Sequence, residues 1–155
     1  MTKNIFITGG TSGIGKSLIY KFAENKCNIF FTYYSNLNEA QSISKNLKKH
    51  NILHNYAKMD LSRPGTINNA FKKFSKQFKR LNIFINNASI KMQRKEFLKL
   101  KNIEISKNIK GLLIGNIISL KKALELSLKK SSSNQSIIIN ISSYASISGG
   151  KNIHL

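Results

Sequence analysis

The stretch Thr8-Gly9-Gly10-Thr11-Ser12-Gly13-Ile14-Gly15 constrains this chain more than any other, because it joins an apolar run, Lys3 to Thr8, to an amphipathic one, Ile14 to Phe22. That order predicts a strand, a glycine turn and a helix start. Glycines let the main chain come close to a ligand in conformations that side chains forbid. The unpaired amide hydrogens of a helix start favour an anion. Gly9, Thr11, Ser12, Gly13, Ile14 and Gly15 are therefore expected to bind a nucleotide diphosphate. The first glycine stands further upstream than in the commoner G-x-G-x-x-G pattern, and a turn of this kind also serves as a plain strand-to-helix connection.

Beyond the turn, Ile14, Leu18, Ile19 and Phe22 recur at helical spacing and predict a helix lying on a sheet. Asn28 to Tyr34 reads as a buried strand, Asn38 to Lys49 as a second helix and Ile52 to Asp60 as a third strand. After Pro64, the stripe Ile67, Ala70, Phe71, Phe74 and Phe78 predicts another helix. Ile83-Phe84-Ile85 supplies a fourth strand that ends at Asn86-Asn87-Ala88, and apolar residues repeated from Ile105 to Leu128 predict one long helix. Ser131-Ser132-Ser133-Asn134 breaks it. Ile137 to Ile141 then reads as a strand covered on both faces. Alternation of this kind predicts an α/β fold in three layers, a doubly wound parallel sheet of Rossmann type in the order 3-2-1-4-5.

With 155 residues, 41% of them hydrophobic, the chain is expected to form a single domain, 1–155, short for a complete doubly wound enzyme. Its single cysteine, Cys27, excludes an internal disulfide framework, and no apolar leader or long apolar stretch points to export or a membrane, so a cytoplasmic location is expected. The net charge of +20 raises nucleic acid as a partner. Lysines, however, are dispersed along the chain in short groups such as Lys72-Lys73, Lys121-Lys122 and Lys129-Lys130, and the arginines are only Arg63, Arg80 and Arg94. Diffuse charge of this kind, in a chain rich in lysine, isoleucine and asparagine throughout, reads as solvated helix faces rather than a specific nucleic-acid site.

A doubly wound sheet places its ligand beyond the carboxyl ends of the strands. Every candidate falls there: Gly9 to Gly15 after the first strand, Tyr34-Ser35-Asn36 after the second, Asp60-Leu61 after the third, Asn86-Asn87-Ala88 after the fourth and Ser142-Ser143 after the fifth. Tyr33-Tyr34-Ser35-Asn36 offers no carboxylate for ribose hydroxyls, while the Ser35 hydroxyl suits a 2′-phosphate, so NADP(H) is expected over NAD(H). Asp60 equally suits capping the turn that follows it, and Asn87 tying neighbouring strands together. His50, His54 and His154 are scattered and read as neither metal ligands nor bases.

In these motifs, taken in order, the chain resembles the compact reductase branch of the short-chain dehydrogenase/reductase family. Thr8 to Gly15 is similar to its T-G-x-x-x-G-x-G cofactor loop, Asp60 to the acid near the adenine, and Asn86-Asn87-Ala88-Ser89 to its N-N-A-G motif with Ser89 in place of glycine. Asn108-Ile109-Lys110-Gly111 matches the asparagine of the long helix, and Asn140-Ile141-Ser142-Ser143 the stretch that carries the catalytic serine. The resemblance implies an NAD(P)(H)-dependent oxidoreductase acting on a small carbonyl or acyl-thioester substrate, similar to 3-oxoacyl-carrier-protein or small ketone reductases. By it, Ser143 hydrogen-bonds the substrate oxygen and Asn108 holds a water in a proton relay. Asn116 is the other candidate for that asparagine but lacks the glycine three residues on.

The resemblance also implies a tyrosine acid with a lysine four residues later, which favours phenolate and moves the phenol toward working pH. None of the five tyrosines has that partner: the residues four on are Glu24, Leu37, Asn38, Asp60 and Ser148. Tyr144, beside Ser143, is assigned to packing. The expectation is a cofactor-binding portion that stops before its general acid, inactive alone and homo-oligomeric when complete, with a non-catalytic nucleotide-binding module as the alternative.

Overall fold

The computed structural model describes residues 2–90, 96–128 and 136–143. Strand β1 (Asn4–Ile7) leads through the glycine turn into helix α1 (Gly13–Glu24), followed by β2 (Asn28–Tyr33), α2 (Leu37–Leu47), β3 (His54–Lys58), α3 (Pro64–Gln77) and β4 (Ile83–Asn86). A continuous helical run then comprises α4 (Asn102–Asn108), a π-helical segment (Ile109–Gly115) and α5 (Asn116–Leu128), before β5 (Ile137–Asn140). All strands pair in parallel in the order β3-β2-β1-β4-β5, the expected doubly wound order.

Alternate strand residues feed two cores. Ile5, Ile7, Ile29, Phe31, Ile83 and Ile85 face α1 and α2, whereas Phe6, Phe30 and Phe84 face α3 and α5. Phe6 is fully buried, with ring centroids of Phe71, Phe30, Phe74 and Phe84 between 4.6 and 5.5 Å away. Burying one such ring stabilises the fold by about 2–3 kcal/mol. Short polar groups and one proline set the helix starts: the Asn36 side chain accepts from Glu39 N at 3.0 Å to cap α2, and Pro64 opens α3, where its missing N–H costs nothing.

Two expectations need correction. The long helix begins at Asn102 rather than Ile105, and its buried residues are the small ones, Gly111, Gly115, Ser119 and Ala123, with Ile118 and Leu126 packed half-buried on the Phe6 core. Larger residues whose repeat predicts the helix, among them Leu113, Ile117, Leu124 and Leu128, are exposed. The cause is close approach: a Cβ at Gly115 would sit 2.2 Å from the carbonyl oxygen of Leu61, so no side chain fits at that position. The second correction is β5, expected to be covered on both faces. Ile138 packs on the Phe6 core, but Ile137 and Ile139 are exposed because, among the described residues, no helix overlies β5 on the α1 side. No helix among the described residues is long and apolar enough to cross a membrane.

Candidate functional site

The ends of β1 and β4 are tied together by one hydroxyl. Thr8, fully buried, accepts Asn87 N at 2.9 Å and Ala88 N at 2.8 Å through Oγ1, and the same hydroxyl donates to Ile85 O at 3.4 Å. Its single proton and both lone pairs are thereby used. Asn87 completes the knot, its Nδ2 donating to Thr8 O at 2.9 Å and Gly9 O at 3.2 Å. Strand-tying, one of the two roles open to Asn87 in the sequence, is thus present in the structure. Asn86 does the same on the other side, its Nδ2 donating to Asn140 Oδ1 at 3.1 Å and its carbonyl accepting Ile141 N at 3.0 Å.

The glycine turn fits this knot with no spare room. Gly9 has φ +68 and Gly13 φ +49, both in the left-handed region. A Cβ on Gly15 would lie 2.3 Å from Gly9 O and 2.7 Å from Asn87 Nδ2. Thr32 of β2, also buried, holds the turn from the other side, accepting Gly9 N on its hydroxyl at 3.1 Å and Gly10 N on its carbonyl at 2.7 Å. Ser12, the N-cap of α1, makes no side-chain cap, so the first amides of the helix remain available to an anion.

At the tip of β3 the Asp60 carboxylate is engaged locally. Oδ1 accepts Ser62 N at 2.9 Å and Ser62 Oγ at 2.6 Å, and Oδ2 lies 3.5 Å from Arg63 Nε. This is the turn-capping role. Beyond the tip of β2, Glu39 Oε1 lies 2.8 Å from Lys16 Nζ, and that hydrogen bond together with the carboxylate charge pushes the Lys16 ammonium above its ordinary range.

These tips enclose a cavity of about 400 Å³, within the size range of small-molecule sites. Of the residues expected from sequence, Gly9, Thr11, Ser12, Tyr34, Asp60, Leu61, Ala88 and Asn108 line it. Gly13, Ile14 and Gly15 form the first turn of α1, directly after the lining residues, while Asn86 and Asn87 act through the strand-tying bonds. Ser35 is not among the lining residues; Tyr33 and Thr32 are. Ser143, exposed beyond β5, is also absent from that wall, and Tyr144 and His154 lie outside the described residues. Asn116 instead donates to Leu112 O at 2.8 Å within its own helix and does not line the cavity.

The fourth wall is α4, which contributes Glu104 and Lys107 beside Asn108. Sequence reasoning missed both. Their spacing of three and four residues along one helical face was the available signal, but a helix read as starting at Ile105 leaves Glu104 outside it. No cluster of His, Cys, Asp and Glu that would hold a metal ion occurs among the described residues.

A family model described as short chain dehydrogenase matches residues 3–154. The chain is 31% identical over 88 residues to the L-rhamnose 1-dehydrogenase (NADP(+)) of Thermoplasma acidophilum, covering 57% of this chain and 35% of that protein. It is 26% identical over 143 residues to the 3-oxoacyl-acyl-carrier-protein reductase FabG of Staphylococcus aureus, covering 92% and 56%. The solved structure of ElxO with NADP bound matches at a TM-score of 0.81 and 27% identity, covering 98% of this chain and 60% of that one. The chain spans between about a third and three fifths of the lengths of these proteins.

Proposed function

The chain belongs to the short chain dehydrogenase family, and from that premise we propose that it is the cofactor-binding portion of an NADP(H)-dependent oxidoreductase acting on a small carbonyl or acyl-thioester substrate. The observation that carries this reading is the cavity at the ends of β1 to β4, where free helix amides, the Gly9 turn and the Asp60-Leu61 tip meet on one wall system. The residues fit a dinucleotide on physical grounds. Uncapped amides of α1 suit its phosphates, and the contact of Gly15 with Gly9 O keeps those amides close to the turn. Leu61 and Ala88 offer apolar surface to a base, and Asp60 fixes the turn beside it through Ser62.

The bound nicotinamide supplies hydride exchange with a carbonyl carbon. The protein's own part is to bind, orient and move a proton. Asn108, on the cavity wall, holds a water for that proton, and Ser143 donates to the substrate oxygen as charge develops on it. Since no tyrosine has a lysine four residues on, this chain by itself binds cofactor without reducing carbonyls; a non-catalytic nucleotide-binding module has the same observation in its favour. The outward apolar residues Leu113, Ile117 and Leu124 support pairing with a second copy of the chain.

NADP(H) is preferred to NAD(H) because, among the described residues, those of β2 and its tip that line the cavity, Thr32, Tyr33 and Tyr34, carry no carboxylate to oppose a 2′-phosphate, and Glu39 beyond them is paired with Lys16. The test is a fluorescence titration of the purified chain with NADPH and NADH. Tighter binding of NADPH is expected. Equal or tighter binding of NADH overturns the preference, and failure to bind either overturns the function.

A further inference from the structure

The cavity wall has a lopsided charge pattern. Among its described lining residues the carboxylates Asp60 and Glu104 are both engaged, Asp60 by Ser62 and Arg63 and Glu104 by Lys101 N at 2.9 Å. Lys107 is the only lysine or arginine among those lining residues. Arg63 and Lys16, which follow the Asp60 tip and the glycine turn, are held in ion pairs with Asp60 and Glu39. Lys107 has no hydrogen-bond or ion-pair partner among the described residues. Its side chain is exposed, and its helix is held against the wall at Gly111, where a Cβ would meet Ile90 Cγ2 at 2.6 Å, Ile90 being itself part of that wall.

We propose that Lys107 is the cationic contact for a phosphate of the ligand that fills this cavity, completing a site whose glycine turn offers amides but no charged side chain. The proposal rests on the nucleotide reading above. Amides at a helix start carry only partial charge, whereas a dinucleotide brings at least two full negative charges, and an unpaired ammonium on the cavity wall meets one of them with a charge-assisted hydrogen bond. Two sources of that phosphate exist on one ligand, the diphosphate bridge and a ribose 2′-phosphate, and a ligand series separates them.

The experiment measures binding of adenosine, 5′-ADP, 2′,5′-ADP and NADPH to the full chain and to its Lys107→Gln and Lys107→Arg variants, with circular dichroism to confirm that each is folded. Lys107→Gln is expected to weaken NADPH and at least one of the two ADP isomers by about five- to tenfold, with adenosine changed by less than about twofold. Loss with 5′-ADP assigns Lys107 to the diphosphate, and loss confined to 2′,5′-ADP assigns it to the 2′-phosphate. Lys107→Arg should retain most of the affinity, and the Gln effect should shrink between about 0.05 and 0.5 M salt as screening grows. Equal weakening of adenosine and the phosphorylated ligands, or no weakening of any, overturns the role of Lys107. Binding of none of the four by the unmodified chain overturns the nucleotide reading and this proposal with it.

Discussion

Replacing Thr8 with valine keeps nearly the same shape and removes only the hydroxyl, so it isolates the knot between β1 and β4. The amides of Asn87 and Ala88 lose their acceptor, which now stands 2.9 and 2.8 Å from them, while Ile85 O keeps the Thr8 amide at 3.0 Å. A buried donor left without a partner costs about 1–3 kcal/mol. Asn87 and Ala88 are only half-buried, so the lower end applies and the pair sums to roughly 2–3 kcal/mol. Valine's extra apolar surface returns at most about 0.8 kcal/mol, leaving a net loss near 2 kcal/mol. With a urea slope of about 2 kcal/mol/M, the midpoint should fall by about 1 M with the slope unchanged. Thr8→Ser keeps the hydroxyl and loses only a methyl, so it should be the more stable of the two variants although it buries less apolar surface. Because Ala88 lines the cavity, NADPH affinity should fall in the valine variant as well. A valine variant within about 0.5 kcal/mol of the original, or more stable than the serine one, would refute this account of the hydroxyl.

Gly15→Ala places a methyl 2.3 Å from Gly9 O, a backbone atom, and should lower stability by about 3 kcal/mol and the melting midpoint by roughly 6–12 °C, read by calorimetry, together with NADPH binding. Cys27 is 8% exposed, and burial raises its thiol pKa. Native protein should therefore resist alkylation near pH 8 while protein in urea reacts fast. The sign follows: the folded thiol holds its proton to higher pH than the unfolded one, so stability is unaffected below the ordinary thiol range and declines as pH rises through it, an effect that a Cys27→Ser variant should lack. In a longer chain that adds a tyrosine–lysine pair, Ser143→Ala should cut kcat strongly with little change in NADPH affinity, and Asn108→Ala should do so less severely; full turnover by both would refute their proposed roles.

The parts of the fold most legible in the sequence are those that a sheet buries on both faces. Ile5-Phe6-Ile7 and Ile29-Phe30-Phe31 are continuous apolar runs because alternate residues serve separate cores. Strand tips were legible for the same reason, which brought Gly9, Asp60, Leu61 and Ala88 to the cavity wall. The long helix misled, since large apolar residues at helical spacing pass for a buried face. Contact with Leu61 instead demanded residues without bulk, and glycine or alanine leaves little trace in a hydrophobic pattern. Hydroxyl partners were hidden too. Thr8 and Thr32 look like ordinary strand threonines until register puts them opposite particular amides. At the β2 tip, Tyr34 was legible as a lining residue, whereas Thr32 and Tyr33 join it there and Ser35 does not.

The π-helical segment between Ile109 and Gly115 separates two tasks carried by one helical run: α4 presents Lys107 and Asn108 to the cavity, and α5 seats Ser119 and Ala123 against the sheet. A wide turn of this kind works as a vernier between chemistry and scaffold. Each residue added to or taken from it rotates one half against the other by about 100°, so a deletion there would swing a different pair of side chains toward the ligand and would also shift Gly111 and Gly115 against Ile90 and Leu61. The length of this one short stretch thus sets which side chains reach the cavity, while its glycines set how closely the helix lies on Leu61 and Ile90.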